Sequence, residues 1–390
     1  MSAFEQLNLF GTGEKAVSLP TNYRSVPPEH FHVEHIILAK GSLTTPEREA
    51  FVRRICAVLA GIPVDERMDI PHNRFDVGTG DSLERHQTGK KTLVLGEHKS
   101  AVRFSDEEGN TCPNYWHFSP YGFCPYGCKY CYLAGTRGVW PFPAVKIFVN
   151  LPEILSEVAR VACKLGRPTA FYMGKLQDGL ALDSLTGYSR ILASFFREHP
   201  FARQIILTKS ASVTNLIDLD HGGHTILSWS LNPPEISEEF EENVPSVAER
   251  LTAMKKCSEK GYPVRAVLMP IIPVENWREV YAAFLRRFLE RMPVQRLTLG
   301  GVCSYRNAME LMERKTGKDN LISTHMRKSN EKADGRVRYD RQLRIEMYSY
   351  LIDLARETSP NTELALCLEE MRVWETLGLE SRLGKCNCVL

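Results

Sequence analysis

The chain has 390 residues, 49 Lys and Arg against 47 Asp and Glu, a formal net charge of +2, and 43% hydrophobic residues. These values exclude a collagenous, disordered or low-complexity chain and argue against a bulk polyanion binder. They leave room for a large α/β core in one or two domains. The 11 cysteines stand out, because disulfide frameworks belong mainly to short secreted chains. The opening MSAFEQLNLFGTGEK has no basic n-region followed by an apolar h-region. No run approaches the ~18–20 apolar residues of a membrane helix. The expected compartment is the cytoplasm, with no membrane partner, where clustered thiols are metal ligands or reactive groups.

Residues 1–45 read as an irregular lead-in, and 46–60 as a helix with Phe51, Ile55 and Val58 on its apolar face. Residues 62–90 are polar and Gly-containing, and Thr92 to Leu95 form a short strand candidate. A cysteine-rich stretch fills 112–135. Beyond it the pattern becomes regular. A helix begins at Pro152, with a stripe of Ile154, Leu155, Val158 and Ala162. Strands are expected at Thr169–Met173, Gln204–Thr208, 225–231, 264–269 and 295–299, and helices at 184–197, 211–218, 246–260 and 276–290. This alternation predicts parallel βαβ units and a partial (β/α)6 TIM-type barrel over 106–305. An N-terminal extension (1–105) precedes it, and a mainly helical region (306–390) follows. Reacting groups in such barrels sit at the C-terminal ends of the strands.

Cys124, Cys128 and Cys131 form a Cys-x3-Cys-x2-Cys loop followed at once by Tyr132. Three thiolates so close in sequence would wrap one face of a metal cluster, with Gly122 and Gly127 expected to supply positive φ. Three ligands leave one iron of a 4Fe–4S cluster open, unlike four-cysteine electron carriers. The alternatives are a zinc loop, with Cys112 or His117 as a fourth ligand, or a non-catalytic iron–sulfur protein.

The loop and the βα series behind it resemble the signature of radical S-adenosylmethionine enzymes. That resemblance implies a 4Fe–4S cluster on Cys124, Cys128 and Cys131. It also implies S-adenosylmethionine on the open iron, a reducing electron-donor protein, and a 5′-deoxyadenosyl radical that abstracts hydrogen. Over roughly 80–350 the chain resembles the spore photoproduct lyase branch. The resemblance rests on Lys91 to Gly96, Cys131-Tyr132-Leu133, Phe148-Val149-Asn150, Thr208-Lys209, Leu227 to Asn232, Gly261-Tyr262-Pro263, Pro270-Ile271 and Trp277. It implies that Lys209 and Ser230 contact the carboxylate region of S-adenosylmethionine, with Asn232 and Tyr130 beside the cofactor. Tyr132 is implied in hydrogen transfer or in packing against the adenine. The branch has a hydrogen-donor cysteine where this chain has Lys175, three residues before Asp178. A lysine ammonium does not give a hydrogen atom as a thiol does. Either the reaction differs or another thiol serves.

The remaining cysteines offer candidates. Cys56, Cys163 and Cys257 fall in helical stretches and read as small hydrophobes. Cys303 follows the last barrel strand. Cys386 and Cys388, a Cys-x-Cys pair, suit a hydrogen donor, a second metal site, a redox pair or a frayed tail. Cys367 reads as core, or as a partner of that pair. Residues 311–345 carry ten Lys or Arg against five acids, a strip for a phosphate backbone or a solvated loop. The expected activity is radical chemistry on DNA or a nucleotide. The alternative is the same chemistry on a small metabolite or peptide.

Overall fold

A computed structural model describes residues 17–75, 77–105, 114–136, 142–327 and 336–390. In chain order its strands are β1 (His35–Ala39), β2 (Val64–Arg67), β3 (Thr92–Gly96), β4 (Val102–Ser105), β5 (Tyr115–Phe118), β6 (Tyr121–Gly122), β7 (Val145–Phe148), β8 (Thr169–Met173), β9 (Ala202–Thr208), β10 (Thr225–Leu231), β11 (Val264–Ile271), β12 (Arg296–Gly301), β13 (Cys303–Tyr305), β14 (Arg336–Arg338) and β15 (Glu363–Leu366). Eight of them form one sheet in the order β15-β12-β11-β10-β9-β8-β5-β4. Every neighbouring pair in it is parallel except the edge pair β4–β5. Among the described residues β4 and β15 do not pair with each other, so the barrel is partial. A second sheet, β2-β1-β3-β7-β6, is parallel apart from β6–β7.

A parallel sheet needs both faces covered, and alternation along each strand divides the two faces. In β10 all seven residues are buried. Leu227, Trp229 and Leu231 join the main core with the helices, while Ile226 joins Tyr115, Ala170, Tyr172 and Ile205 on the opposite face. Ser228 and Ser230 share that opposite face by the same alternation. The barrel interior is therefore mixed, apolar in one patch and polar beside it. The helix Leu151–Leu165 covers the outside with Ile154, Leu155, Val158 and Ala162 buried, and it ends at Gly166 in the left-handed region (φ +61°).

The structure departs from the sequence reading at several places. The lead-in contains β1, whose HIILA run pairs with β2 and β3. The polar stretch 62–90 contains β2 and a helix, Ser82–Lys90, opened by a capping box of Asp81 and Glu84. The helix expected at 184–197 is two helices, Asp183–Thr186 and Tyr188–Glu198, broken at Gly187 (φ +62°). The backbone there passes so near Tyr23 that a Cβ would lie 2.6 Å from its ring. No helix forms at 211–218. The Thr208 and Ser210 hydroxyls instead accept from the Ser210 and Ser212 amides at 2.8 and 3.0 Å, which favours turns over helix. The C-terminal region is mainly helical, as expected, but carries two short strands as well. It adds β15 beside β12, and β14 pairs antiparallel with β13. Among the described residues no helix is long and apolar enough to cross a membrane.

Trp229 is fully buried and its Nε1–H donates to Ser210 O at 3.1 Å. Trp229→Ala is expected to cost about 3–5 kcal/mol, read as a lower urea midpoint at unchanged slope.

Candidate active site

The cysteine loop runs from β6 to a 3-10 turn, Tyr132–Gly135. Its conformation is imposed from three sides. Lys90, at the end of the helix Ser82–Lys90, donates to Cys124 O at 2.5 Å and Tyr126 O at 2.6 Å and stands 4.1 Å over the Phe123 ring. The Gly127 and Lys129 amides donate to Glu242 O at 2.8 Å and Phe240 O at 2.9 Å. Phe123 itself, not a glycine, takes positive φ (+61°). Gly122 and Gly127 do not, contrary to expectation. Gly127 serves close approach instead: a Cβ there would lie 3.0 Å from Glu242 O.

Cys124, Cys128 and Cys131 line one cavity together with Tyr130, Tyr132, Lys209 and Ser230. The last two come from strand ends, Lys209 directly after β9 and Ser230 near the end of β10. Among the described residues no three His, Cys, Asp or Glu groups surround a single point. Three loop thiols would hold a 4Fe–4S cluster and leave one iron open, whereas a closed zinc site needs a fourth ligand. Burial raises the Cys128 thiol to about 11 and pushes Cys124 higher, so a metal must displace protons as it binds. Cys112 lies outside the described residues. His117 is buried on β5 and does not line this cavity.

Lys209 is buried, which lowers an ammonium pKa, yet Cys128 and Glu241 outweigh burial and raise it above its usual value. Its backbone is fixed by Asp178, whose carboxylate accepts from the Lys209 amide at 2.7 Å, Thr208 Oγ1 at 2.6 Å, and the Leu180 and Ala181 amides at 3.0 and 2.9 Å. Asp178 thus stitches the turn after β8 to the end of β9. Asp183 lies inside the helix Asp183–Thr186 and is the N-cap of neither helix; its carboxylate accepts from Ser189 N at 2.8 Å and Ser189 Oγ at 2.7 Å.

Glu241 and Arg250 are the residues the sequence did not disclose, since neither stands apart from the acids and bases around it. Both side chains are 0% exposed, with Arg250 Nη2 at 2.5 Å from Glu241 Oε2. Tyr130 Oη donates to the other Glu241 oxygen. Arg250 Nη1 donates to Ser230 O at 3.3 Å. Burial acts to raise the Glu241 pKa, but Lys209 and Arg250 outweigh it and hold the carboxyl below its usual value. A positive charge is thereby held beside the thiols with its counter-charge behind it.

Tyr132 Oη donates to Lys175 O at 2.5 Å. Lys175 Nζ contacts Ser105 Oγ and stands 5.4 Å from the Tyr115 ring centroid. Cys303, Cys367, Cys386 and Cys388 also line the cavity. Cys257 is in the core, whereas Cys56 and Cys163 are only half-buried. Asn232 does not line the cavity. It is fully buried and accepts from Tyr281 Oη at 3.1 Å. The basic segment spends much of its charge internally. Arg338 and Arg344 are buried, and Arg314, Lys315 and Arg341 pair with Asp81, Glu242 and Glu370. Lys328 and Lys332 lie outside the described residues. Arg336 lines the cavity, 5.2 Å over Tyr305.

A partial barrel with a three-thiol loop and a buried lysine at its strand ends defines the radical S-adenosylmethionine class. The family model described as spore photoproduct lyase matches residues 42–339, and the chain belongs to that family. Curated relatives are the spore photoproduct lyases of Clostridium acetobutylicum (26% identical over 54% of this chain), Bacillus subtilis (25% over 59%) and a Geobacillus species (27% over 60%). The matched segments span 62, 66 and 69% of those relatives' length. Two similar solved structures are a spore photoproduct lyase with dinucleoside spore photoproduct and a mutant with bound AdoMet and the same ligand. Their TM-scores are 0.75 and 0.74 at 22% identity, covering 87% of this chain and 100 and 99% of theirs. At that identity they establish the fold.

Arg250→Met leaves Glu241 buried without its partner. It is expected to cost about 3–5 kcal/mol, measured by guanidinium chloride unfolding.

Proposed function

We propose that this protein is a radical S-adenosylmethionine lyase acting on a dinucleotide lesion in DNA. One observation carries the reading: the three loop thiols, the charged Lys209 and the Ser230 hydroxyl share one cavity at the strand C-terminal ends. Family membership supports it, as do relatives whose names and bound ligands specify that chemistry.

Cys124, Cys128 and Cys131 would hold the 4Fe–4S cluster. When bound, cluster and S-adenosylmethionine supply a 5′-deoxyadenosyl radical for hydrogen abstraction. Lys209 gives a carboxylate a point-charge partner, and Asp178 and Glu241 keep that ammonium placed and protonated. Ser230 adds a hydroxyl, with its carbonyl held by Arg250. Tyr130, anchored on Glu241, packs beside the same ligand. Asn232 acts from behind through Tyr281, which also receives the Ile272 amide at 2.8 Å. Tyr132, seated on the Lys175 carbonyl, closes the substrate side and excludes water.

Arg336 over Tyr305 offers a charge and a ring to a nucleotide at the cavity wall. Residues 1–105, 106–305 and 306–390 act as support, radical core and substrate wall. The compartment is the reducing cytoplasm, where a small reducing protein delivers the electron.

Reconstitution without oxygen, followed by dithionite and S-adenosylmethionine, is expected to yield 5′-deoxyadenosine. A triple Cys124→Ala, Cys128→Ala, Cys131→Ala variant should bind no cluster iron and yield none. A fully loaded wild-type cluster that gives no 5′-deoxyadenosine would sink the enzyme reading. Affinity for ultraviolet-treated DNA should fall with salt, and Arg336→Ala should reduce that slope by about one. Salt-independent binding would move the substrate to the metabolite or peptide class.

A further inference from the structure

The cavity contains more thiols than the cluster loop uses, and two of them come from the segment 386–390. The barrel interior grips that segment along its backbone. Arg265 Nη1 donates to Asn387 O at 3.3 Å and to Val389 O at 2.6 Å. Arg296 Nη1 donates to Cys386 O at 2.8 Å and Val389 O at 3.0 Å, and its Nη2 reaches Leu390 O at 3.4 Å. Ser228, the register partner of Arg265, donates to Asn387 Oδ1 at 2.9 Å. Both arginines are 4% exposed. A buried guanidinium is tolerated when its donors are met; here peptide carbonyls meet Nη1 of both and Nη2 of Arg296, and Glu363 meets Arg296 Nε, while Arg265 Nε has no partner. The segment is thus a fixed part of the cavity wall.

Asn387 points to a ligand. It lines the cavity and is 3% exposed, and its Nδ2 has no hydrogen-bond partner. A buried donor left open at a cavity wall is one that a polar ligand would satisfy.

Cys388 follows it. With Val389 it packs on the interior patch of Tyr115, Ala170, Tyr172, Ile205 and Ile226. Tyr172 lies edge-on to Tyr115, with ring centroids 5.7 Å apart, and the Tyr115 ring carries the Lys175 ammonium. Cys388 therefore lines the same cavity as Lys175 and Tyr132, packed on the patch whose Tyr115 ring carries the Lys175 ammonium. Of the side chains there, a thiol has the S–H bond most readily broken by a carbon radical. The N–H bond of Lys175 is far stronger.

We propose that Cys388 gives a hydrogen atom to the substrate radical in this cavity, with Arg265, Arg296 and Ser228 as positioning residues. The proposal rests on the radical reading above. The S–H bond breaks homolytically, a C–H bond forms on the substrate, and Cys388 is left as a thiyl radical. A low-potential one-electron reductant, of the class that also reduces the cluster, returns it to the thiol with one proton.

The test uses the full chain, reconstituted without oxygen, with dithionite, S-adenosylmethionine and dinucleoside spore photoproduct in deuterated water. Wild type should place solvent deuterium in the product. Cys388→Ala and Cys388→Ser should still form 5′-deoxyadenosine within twofold of wild type, while the product label falls at least fivefold. An unchanged label in both variants overturns the proposal. Absence of 5′-deoxyadenosine in wild type overturns the underlying radical reading instead. A second arm needs no turnover. Iodoacetamide labelling of Cys388, read by mass spectrometry, should slow at least fivefold with S-adenosylmethionine and the dinucleoside present, while Cys56 labelling stays constant. Equal Cys388 rates count against the proposal. Ser228→Ala should speed Cys388 labelling severalfold and Ser228→Thr should restore it, which a side chain of merely local structural importance would not do.

Discussion

The buried carboxylate of Glu241 is the contact on which the site depends. It receives Tyr130 from the cysteine loop, Arg250 from the helix Val247–Glu259, and Ser237 from the helix Pro234–Phe240. After Cys128, it also acts to raise the Lys209 pKa against burial. The backbone on either side, at Phe240 and Glu242, receives the amides of Lys129 and Gly127. A three-residue stretch therefore sets both the shape of the ligand loop and the charge facing it. An ion pair buried this deeply adds little net stability. Its contribution is placement, because moving either partner leaves an unmet charge in the interior.

The second sheet has a share in the same task. Lys90 ends a helix that leads into β3, and its ammonium clamps the carbonyls of Cys124 and Tyr126. The loop is thus pinned from the N-terminal sheet on one side and from the barrel helices on the other. Asp178, which lines the cavity, spends its carboxylate on backbone amides and the Thr208 hydroxyl, and Asp183, which does not, on Ser189 and Asn215. Both are buried, and burial raises the pKa of each. Such groups are tolerated where their oxygens are met by several donors.

Legibility in the sequence followed physical strength. The strands β8 and β10 and the helix Leu151–Leu165 were plain because long apolar runs and an amphipathic stripe leave few alternatives. The three-thiol loop was plain because its spacing is local. Tertiary contacts were not. β15 carries only four residues and gains its place by pairing with β12 across about sixty intervening positions. The turn after β9 carries a helix-compatible pattern, yet Ser and Thr hydroxyls there satisfy the backbone first. Glu241 and Arg250 are ordinary in sequence and decisive only once folding has buried them together. The basic count of 311–345 did not disclose that Arg338 and Arg344 serve the interior.

β10 has a consequence of its own. Its odd-numbered positions Leu227, Trp229 and Leu231 build the core, while Ser228 and Ser230 face the barrel interior, Ser228 on Asn387 and Ser230 at the cavity. A slip of one residue against β9 or β11 would turn the indole into the cavity and bury two hydroxyls under the helices. Strand pairing and the lining of the cavity are therefore read from the same two-residue rhythm.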